Sequence, residues 1–276
     1  MEEFDYKEYL TEIGLKKGDI IDVVSDLLSF MIYCREKKLK FNANHLIDTM
    51  KEIVGPEGTI LIRTFTWAFC RGETFDILNS PSEVGSLGTI ALKRSDFQRT
   101  KHPIYSWCVW GKDTEYLCKL DNVSSFGKNT PWEFLLDKNA SLITLGNTEV
   151  AGVTILHHIE QLANVPYRAE KVFESEYIDE NGKHSIRRYS MFVRPINIQV
   201  ENLSDEWWKK LVIEKNIGQN ILYNNLLEAK ICYYKDIELY MNKEVIDNCS
   251  QNIMIIDGEK GYINSMDSLR MARYYS

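Results

Sequence analysis

NHLIDTMKEIVGPEGTILIRTFTW, running from Asn44 to Trp67, changes character at its middle. In its first half Leu46, Ile47, Met50 and Ile53 recur at the three- and four-residue spacing of one helix face, so Asn44 to Val54 reads as an amphipathic helix. GPEG, at Gly55 to Gly58, ends it. TILIRTFTW is rich in β-branched and aromatic residues and reads as a buried strand. Helix, glycine-rich break and buried strand in succession predict an α/β fold: a three-layer α/β/α arrangement around a central mixed sheet.

Upstream, GLKKGDIIDVVSDLLSFMIYCREKK (Gly14 to Lys38) is apolar enough for either period. One division gives a strand at Ile20 to Val24 and then a helix capped by Ser25 or Asp26. A helix N-terminus just after a strand is an anion site, although the Asp26 charge would repel a phosphate. Downstream, Cys70 to Tyr105 is loop-like, with NSPSEVGSLG and RTKHP, and such loops often carry function. SLITLG, Ser141 to Gly146, is a second strand, and ligands of open α/β sheets bind at that end of a strand. Past Arg168, SEYIDENGKHSIRRYSMFVRP alternates around Asn181 and Gly182, the signature of a hairpin with a two-residue turn. Arg187, Arg188 and Arg194 on or beside it are solvated strand-face charges or phosphate partners. The tail reads as helices near Asp205 to Asn216 and Gly218 to Ala229, with strands near Ala229 to Tyr233 and Ile253 to Ile256. No repeat or linker interrupts the chain. We therefore expect one domain over residues 1–276, with an α/β part over 1–170 and an antiparallel and helical part over 171–276.

At 276 residues, 44% hydrophobic and 26% charged, the composition is that of an ordinary globular protein. A net charge of −7 and a pI near 5.4 argue against a nucleic-acid partner, since phosphate binding needs clustered Lys and Arg. Six scattered cysteines without a CxxC pair read as reduced thiols. The acidic MEEFDYKEYL lacks the sections of a signal peptide, and no run approaches the roughly 20 apolar residues of a membrane span. These features predict a cytoplasmic protein with no membrane partner.

The chemistry concentrates in TILHHIEQLANVPYR, Thr154 to Arg168. As a helix it buries Leu156, Ile159, Leu162 and Ala163, and places His157 and Glu160 three apart on a neighbouring face. A carboxylate that holds one imidazole nitrogen leaves the other as a general base. A surface pair near a helix end would look the same. His157, His158 and Glu160 also suggest metal ligands, but adjacent helical residues point about 100° apart and HExxH is absent.

The order TFTW, SEVGSLG, HPIYSWCVWG, FGKNTPWEFL, LITLG, TILHHIE, spread between about Gly14 and Arg168, resembles the antibiotic N-acetyltransferase family, known from aminoglycoside 3-N-acetyltransferases. The resemblance implies transfer of an acyl group from coenzyme A to an amine of a sugar-like acceptor. Thr154, Leu156, His157 and Glu160 match the family's T-x-L-H-x-x-E, which selects His157 over His158 as the base and Glu160 as its orienting partner. The family's R-S-x-H-P-x-x-S appears as Arg99, Thr100, Lys101, His102, Pro103 and Ser106, and is implied to border the acyl-thioester end of the cleft. Without the family, His102 reads as a loop histidine fixed by Pro103. Ser25 matches a coenzyme A contact, while Val24 stands where the family usually has histidine. The implied co-substrate is acetyl-CoA or another short acyl-CoA, with no metal. An amine attacks a thioester as its free base, so no covalent intermediate is required, and Cys70 and Cys108 have no base beside them in sequence.

The acceptor divides the expectations. A polycationic aminoglycoside calls for carboxylates, and Glu73, Asp76, Glu83 and Glu170 are at hand. A nucleotide-linked amino sugar calls for cations and a stacking surface, which Arg71, Arg168, Arg187 and Arg188 with Trp67, Trp107, Trp110 and Tyr167 offer. The V-S-D-L variant and FGKNTPW resemble members associated with surface-polysaccharide sugars, so the expected acceptor is a dTDP- or UDP-linked amino-deoxysugar. Aminoglycoside acetylation is the alternative within the class, and a non-catalytic coenzyme A- or sugar-binding module the alternative outside it. An aromatic content of 12% leaves room for a homo-oligomeric interface.

Overall fold

Asn42 opens the helix expected from Asn44. Its side-chain oxygen accepts from the backbone N–H groups of Asn44 (3.0 Å) and His45 (3.3 Å), which the first turn of a helix leaves without partners. The helix therefore runs over Ala43–Val54 and buries Leu46, Ile47 and Met50. At Gly58 a Cβ would lie 2.8 Å from the Asp19 carbonyl, so only glycine lets the chain drop into the next strand.

The computed structural model describes residues 2–146, 154–196, 198–202 and 217–262. Its strands are β1 (Ile20–Ser25), β2 (Thr59–Arg63), β3 (Phe75–Asp76), β4 (Gln98–Arg99), β5 (Trp107–Gly111), β6 (Ser141–Leu145), β7 (Ala169–Ile178), β8 (His184–Val193), β9 (Val200–Asn202), β10 (Gly218–Tyr223), β11 (Leu227–Tyr233), β12 (Met254–Ile256) and β13 (Glu259–Lys260). The main sheet has the order β10-β11-β6-β1-β2-β5-β4. β6, β1 and β2 are parallel, and β11 and β5 flank them antiparallel.

Parallel strands at the centre of a sheet must be covered on both faces. Ile60 and Ile62 point into a core built with the helices Tyr6–Glu12, Leu27–Lys37 and Ala43–Val54, whereas Leu61 points into the opposite core with Trp107, Trp132, Ile155 and Ile159. The sheet is thus mixed and sandwiched by helices, the α/β/α arrangement read from Asn44 to Trp67. Asp26, not Ser25, caps the helix after β1, accepting from the Leu28 N–H at 3.0 Å.

Three expectations are corrected. Gly218 to Ala229 is not a helix but the β10–β11 hairpin, because Asn224 and Asn225 both take positive φ (48° and 60°) and reverse the chain. β11 then pairs with β6, Ala229 opposite Leu145, so the C-terminal part completes the main sheet. The β7–β8 hairpin exists, yet its turn has three residues: Asp179 N–H donates to the Lys183 carbonyl (3.1 Å) around Gly182 at φ 74°. The Asp179 carboxylate fixes that loop by accepting from the Asn181 and Lys183 N–H groups, each at 2.9 Å. Leu162 is 53% exposed rather than part of the buried stripe, since the helix ends there and Asn164 turns the chain at φ 49°.

β3-β7-β8 and β13-β12-β9 form two small sheets. The helix expected over 205–216 lies outside the described residues. Among the described residues no helix is long and apolar enough to cross a membrane.

Candidate active site

The parallel strands end together at Ser25, Arg63 and Leu145, and the helix Ile155–Leu162 lies beyond the last of them. A cavity of about 400 Å³ opens at those ends, lined by Val24, Ser25, Arg63, Trp67, Gly85, Gly88, Tyr105, Thr154 and His157 among others. A second, of about 320 Å³, is lined by Trp67, Tyr105, His157, Arg168, Met191, Phe192, Arg194 and Val200 among others. His157, Trp67 and Tyr105 belong to both, so the imidazole stands between two openings. Two further hollows, around Arg99 and Lys101 and around Leu239 and Ile246, contain neither His157 nor Glu160.

Helical spacing brings Glu160 Oε2 to 2.8 Å from His157 Nδ1. An ionised carboxylate can only accept, so Nδ1 carries the hydrogen and Nε2 of the neutral ring keeps its lone pair. The His157 side chain is 30% exposed and rests edge-on against Phe126. Glu160 is wholly buried. Burial alone would raise its pKa; the His157 hydrogen bond, the Arg168 charge and the Tyr167 hydroxyl outweigh that, and the carboxyl is held below its usual range. Tyr167 donates to Oε1 at 2.9 Å and meets the Ser250 hydroxyl at 3.1 Å. Arg168 Nε lies 2.6 Å from Oε2, but its N–H is not aimed along the contact, which makes this an ion pair rather than an aligned hydrogen bond.

His158 faces away. It is buried, its Nδ1 accepts from the Gly127 N–H at 3.1 Å, and burial pushes its pKa down to about 4. This ties the helix Ile155–Leu162 to FGKNTPWEFL, where Thr130 Oγ1 caps the helix Pro131–Asp137 by accepting from the Glu133 N–H, the Glu133 carboxylate accepts from the Asn129 N–H, and Phe126 meets the His157 ring.

The residues expected at the acyl-thioester end separate into two groups. Ser25 lines the first cavity. Arg99, Thr100, His102 and Ser106 are buried, line neither cavity, and brace the loop instead. Arg99 donates to Ser106 Oγ (3.0 Å) and to the Ser80 and Thr64 carbonyls (2.6 and 2.8 Å), and Thr100 Oγ1 accepts from the Trp107 N–H at 3.0 Å. His102 Nδ1 accepts from the Ile104 and Tyr105 N–H groups at 3.2 and 3.1 Å, with its pKa pushed by burial down to about 3. What RTKHPIYS lends the cleft is Tyr105.

Of the residues expected to bind the acceptor, Trp67 and Arg168 line the second cavity. Tyr167 is buried behind Glu160. Glu73 and Glu83 pair with Arg71 at 2.5 and 2.6 Å, and Asp76 holds its own turn by accepting from Leu78 and Asn79. Glu170 accepts from the Ser124 and Ser190 hydroxyls. Arg188 pairs with Glu174, Arg187 stacks on Tyr177, and Trp107 is buried with Nε1 on Asp22. Burial pushes the thiols of Cys70 and Cys108 up to about 11 and about 12, which suppresses the thiolate a covalent route would need.

Sequence reading missed Asp22 and Arg63. Both are buried, one on β1 and the other at the end of β2, with Arg63 Nε and a terminal nitrogen on Asp22 Oδ2 at 3.0 and 2.6 Å. The signal was there: two opposite charges interrupt two otherwise apolar strands, and a buried charge needs a partner. Gly88 shapes the same corner, since a Cβ there would fall 2.3 Å from the Arg63 carbonyl oxygen. Gly88→Ala is expected to cost about 1–3 kcal/mol and lower the thermal midpoint by several degrees; an unchanged melting curve would show that β2 yields at that point.

A family model described as aminoglycoside 3-N-acetyltransferase matches residues 35–223, reaching past Arg168 through the β7–β8 hairpin to the end of β10. No curated protein matches the sequence. Among solved structures, the chain superposes on AAC-IIIb in binary complex with CoASH at TM-score 0.71, with 20% identity over 88% of this chain and 95% of that one. AAC-VIa bound to sisomicin gives 0.72, with 16% identity over 90% and 98%. The YokD protein from Bacillus subtilis gives 0.67, with 18% identity over 88% and 98%. The mixed sheet, the dyad on the helix after β6 and a family match over two thirds of the sequence agree: the chain belongs to the aminoglycoside 3-N-acetyltransferase family and is an N-acetyltransferase.

Proposed function

We propose that the enzyme transfers an acetyl or other short acyl group from coenzyme A to the amine of a dTDP- or UDP-linked amino-deoxysugar for surface polysaccharide. In this reading the thioester enters by the cavity at the strand ends, past Ser25, and the acceptor by the second cavity. His157 Nε2 takes a proton from the free amine nitrogen as its lone pair attacks the carbonyl carbon. Glu160 holds the ring in that tautomer and offsets the imidazolium charge. A family neighbour bound to CoASH supports the choice of donor.

The observation that carries the choice of acceptor is the charge around His157. Arg194 lines the second cavity beside Trp67, Tyr105 and Phe192, with Arg168 in the same wall paired to Glu160, and among the described lining residues of both cavities there is no carboxylate. Glu73, Asp76 and Glu83 are spent on Arg71 and on a turn. A polycation would meet the Arg194 guanidinium there, whereas a diphosphate gains a charge-assisted hydrogen bond and a base gains aromatic faces. The second reading, aminoglycoside acetylation, draws on the family's name and on a neighbour bound to sisomicin.

A thiol-release assay that crosses several acyl-CoA donors with kanamycin-type antibiotics and nucleotide-linked 3- and 4-amino sugars decides between them. We expect turnover of a nucleotide-linked sugar, with antibiotics slower by about a hundredfold or more in kcat/KM, the worth of one or two charge-assisted hydrogen bonds. Turnover of the antibiotics alone would remove the nucleotide sugar.

A further inference from the structure

Arg63 is 7% exposed, and its guanidinium is held from nearly every side. Nε and one terminal nitrogen grip Asp22, that nitrogen lies 3.4 Å from the Tyr234 hydroxyl, and the rings of Phe65 and Trp132 lie 5.6 and 5.5 Å away. The other terminal nitrogen donates to the Thr154 hydroxyl at 3.3 Å.

Thr154 occupies the N-cap position of the catalytic helix, where a threonine oxygen ordinarily accepts a backbone N–H of its own helix. Here it makes no such bond. Its carbonyl accepts from the His157 N–H at 3.1 Å, so the two residues share one turn, and both line the cavity at the strand ends. A hydroxyl that accepts from arginine still has its own hydrogen to give. Among the described residues none accepts that hydrogen, which leaves it for a ligand oxygen in the cavity.

We propose that the Thr154 hydroxyl, polarised by Arg63, donates to the carbonyl oxygen of the acyl thioester and holds the oxyanion formed on attack. The proposal rests on the acyl-CoA reading above. The amine lone pair forms the C–N bond and the carbonyl π pair moves onto oxygen, where the Thr154 hydrogen bond receives the charge. His157 takes the proton from nitrogen. The pair returns from oxygen, the C–S bond breaks, and the thiolate leaves with the proton that His157 gives back. A donor already held in place by Arg63 needs no reorganisation as that charge develops.

Thr154→Val and Thr154→Ala remove the hydroxyl, and Thr154→Ser keeps it. We expect kcat for thiol release to fall about a hundredfold in the first two. Thr154→Ser is expected to stay within about fivefold of wild type, with the acetyl-CoA dissociation constant unchanged by calorimetry in all three. If either Val or Ala folds and keeps kcat within about threefold, or loses activity only through KM, this inference is overturned while the acyl-CoA reading stands. A wild type that releases no thiol from acetyl-CoA with any acceptor overturns both.

Discussion

His157→Ala is expected to lower kcat by about 10²–10⁴-fold, the usual worth of a positioned general base, and to leave the fold nearly as stable as before. The ring is partly exposed, and its removal costs one hydrogen bond to Glu160 and an edge contact with Phe126. Glu160 keeps Tyr167 and Arg168, so the loss of stability should be about 1 kcal/mol. His158→Ala is expected to do the reverse. It orphans the buried Gly127 N–H and empties a core position, costing about 1–3 kcal/mol, while kcat changes little. Thiol-release kinetics and thermal melts on the two variants separate the roles. An inactive but folded His158→Ala beside an active His157→Ala would reverse the assignment.

The dyad could be read from sequence because it is local: a helix places residues three apart side by side whatever surrounds them. The buried strands could be read for a similar reason, since TILIR and SLITL must be apolar wherever helices cover both faces. The opposite holds for Asp22 and Arg63, which meet across 41 positions and depend on β1 lying beside β2. Tyr167 and Arg168 were expected at the acceptor from their chemistry; their contacts with Glu160 were not legible, because they depend on the turn after Leu162. The β10–β11 hairpin was hidden because its apolar residues fit both periods and only the backbone of Asn224 and Asn225 breaks the tie. In RTKHP the polar groups close on one another, and it is Tyr105 beyond them that lines both cavities.

Glu160→Ala is expected to be the most destabilising change at the site. It removes the counterion of Arg168, whose side chain is 7% exposed, and the acceptor of the Tyr167 hydroxyl. Removing one partner of a buried pair costs about 3–5 kcal/mol. At roughly 2–4 °C per kcal/mol for a chain of this size, the thermal midpoint should fall by roughly 10 °C. Glu160→Gln keeps the shape and a hydrogen-bond acceptor, and so isolates the charge. Because folding lowers the Glu160 pKa, its ionisation stabilises the native state fully above the unfolded value of about 4.3. That contribution is lost as pH falls through the folded value. The melting gap between wild type and Glu160→Gln should therefore be constant near neutrality and narrow below about pH 4.3. A gap that widens on acidification would mean that burial, not Arg168 and His157, governs this carboxyl, and that His157 leans on a neutral acid instead of an anion.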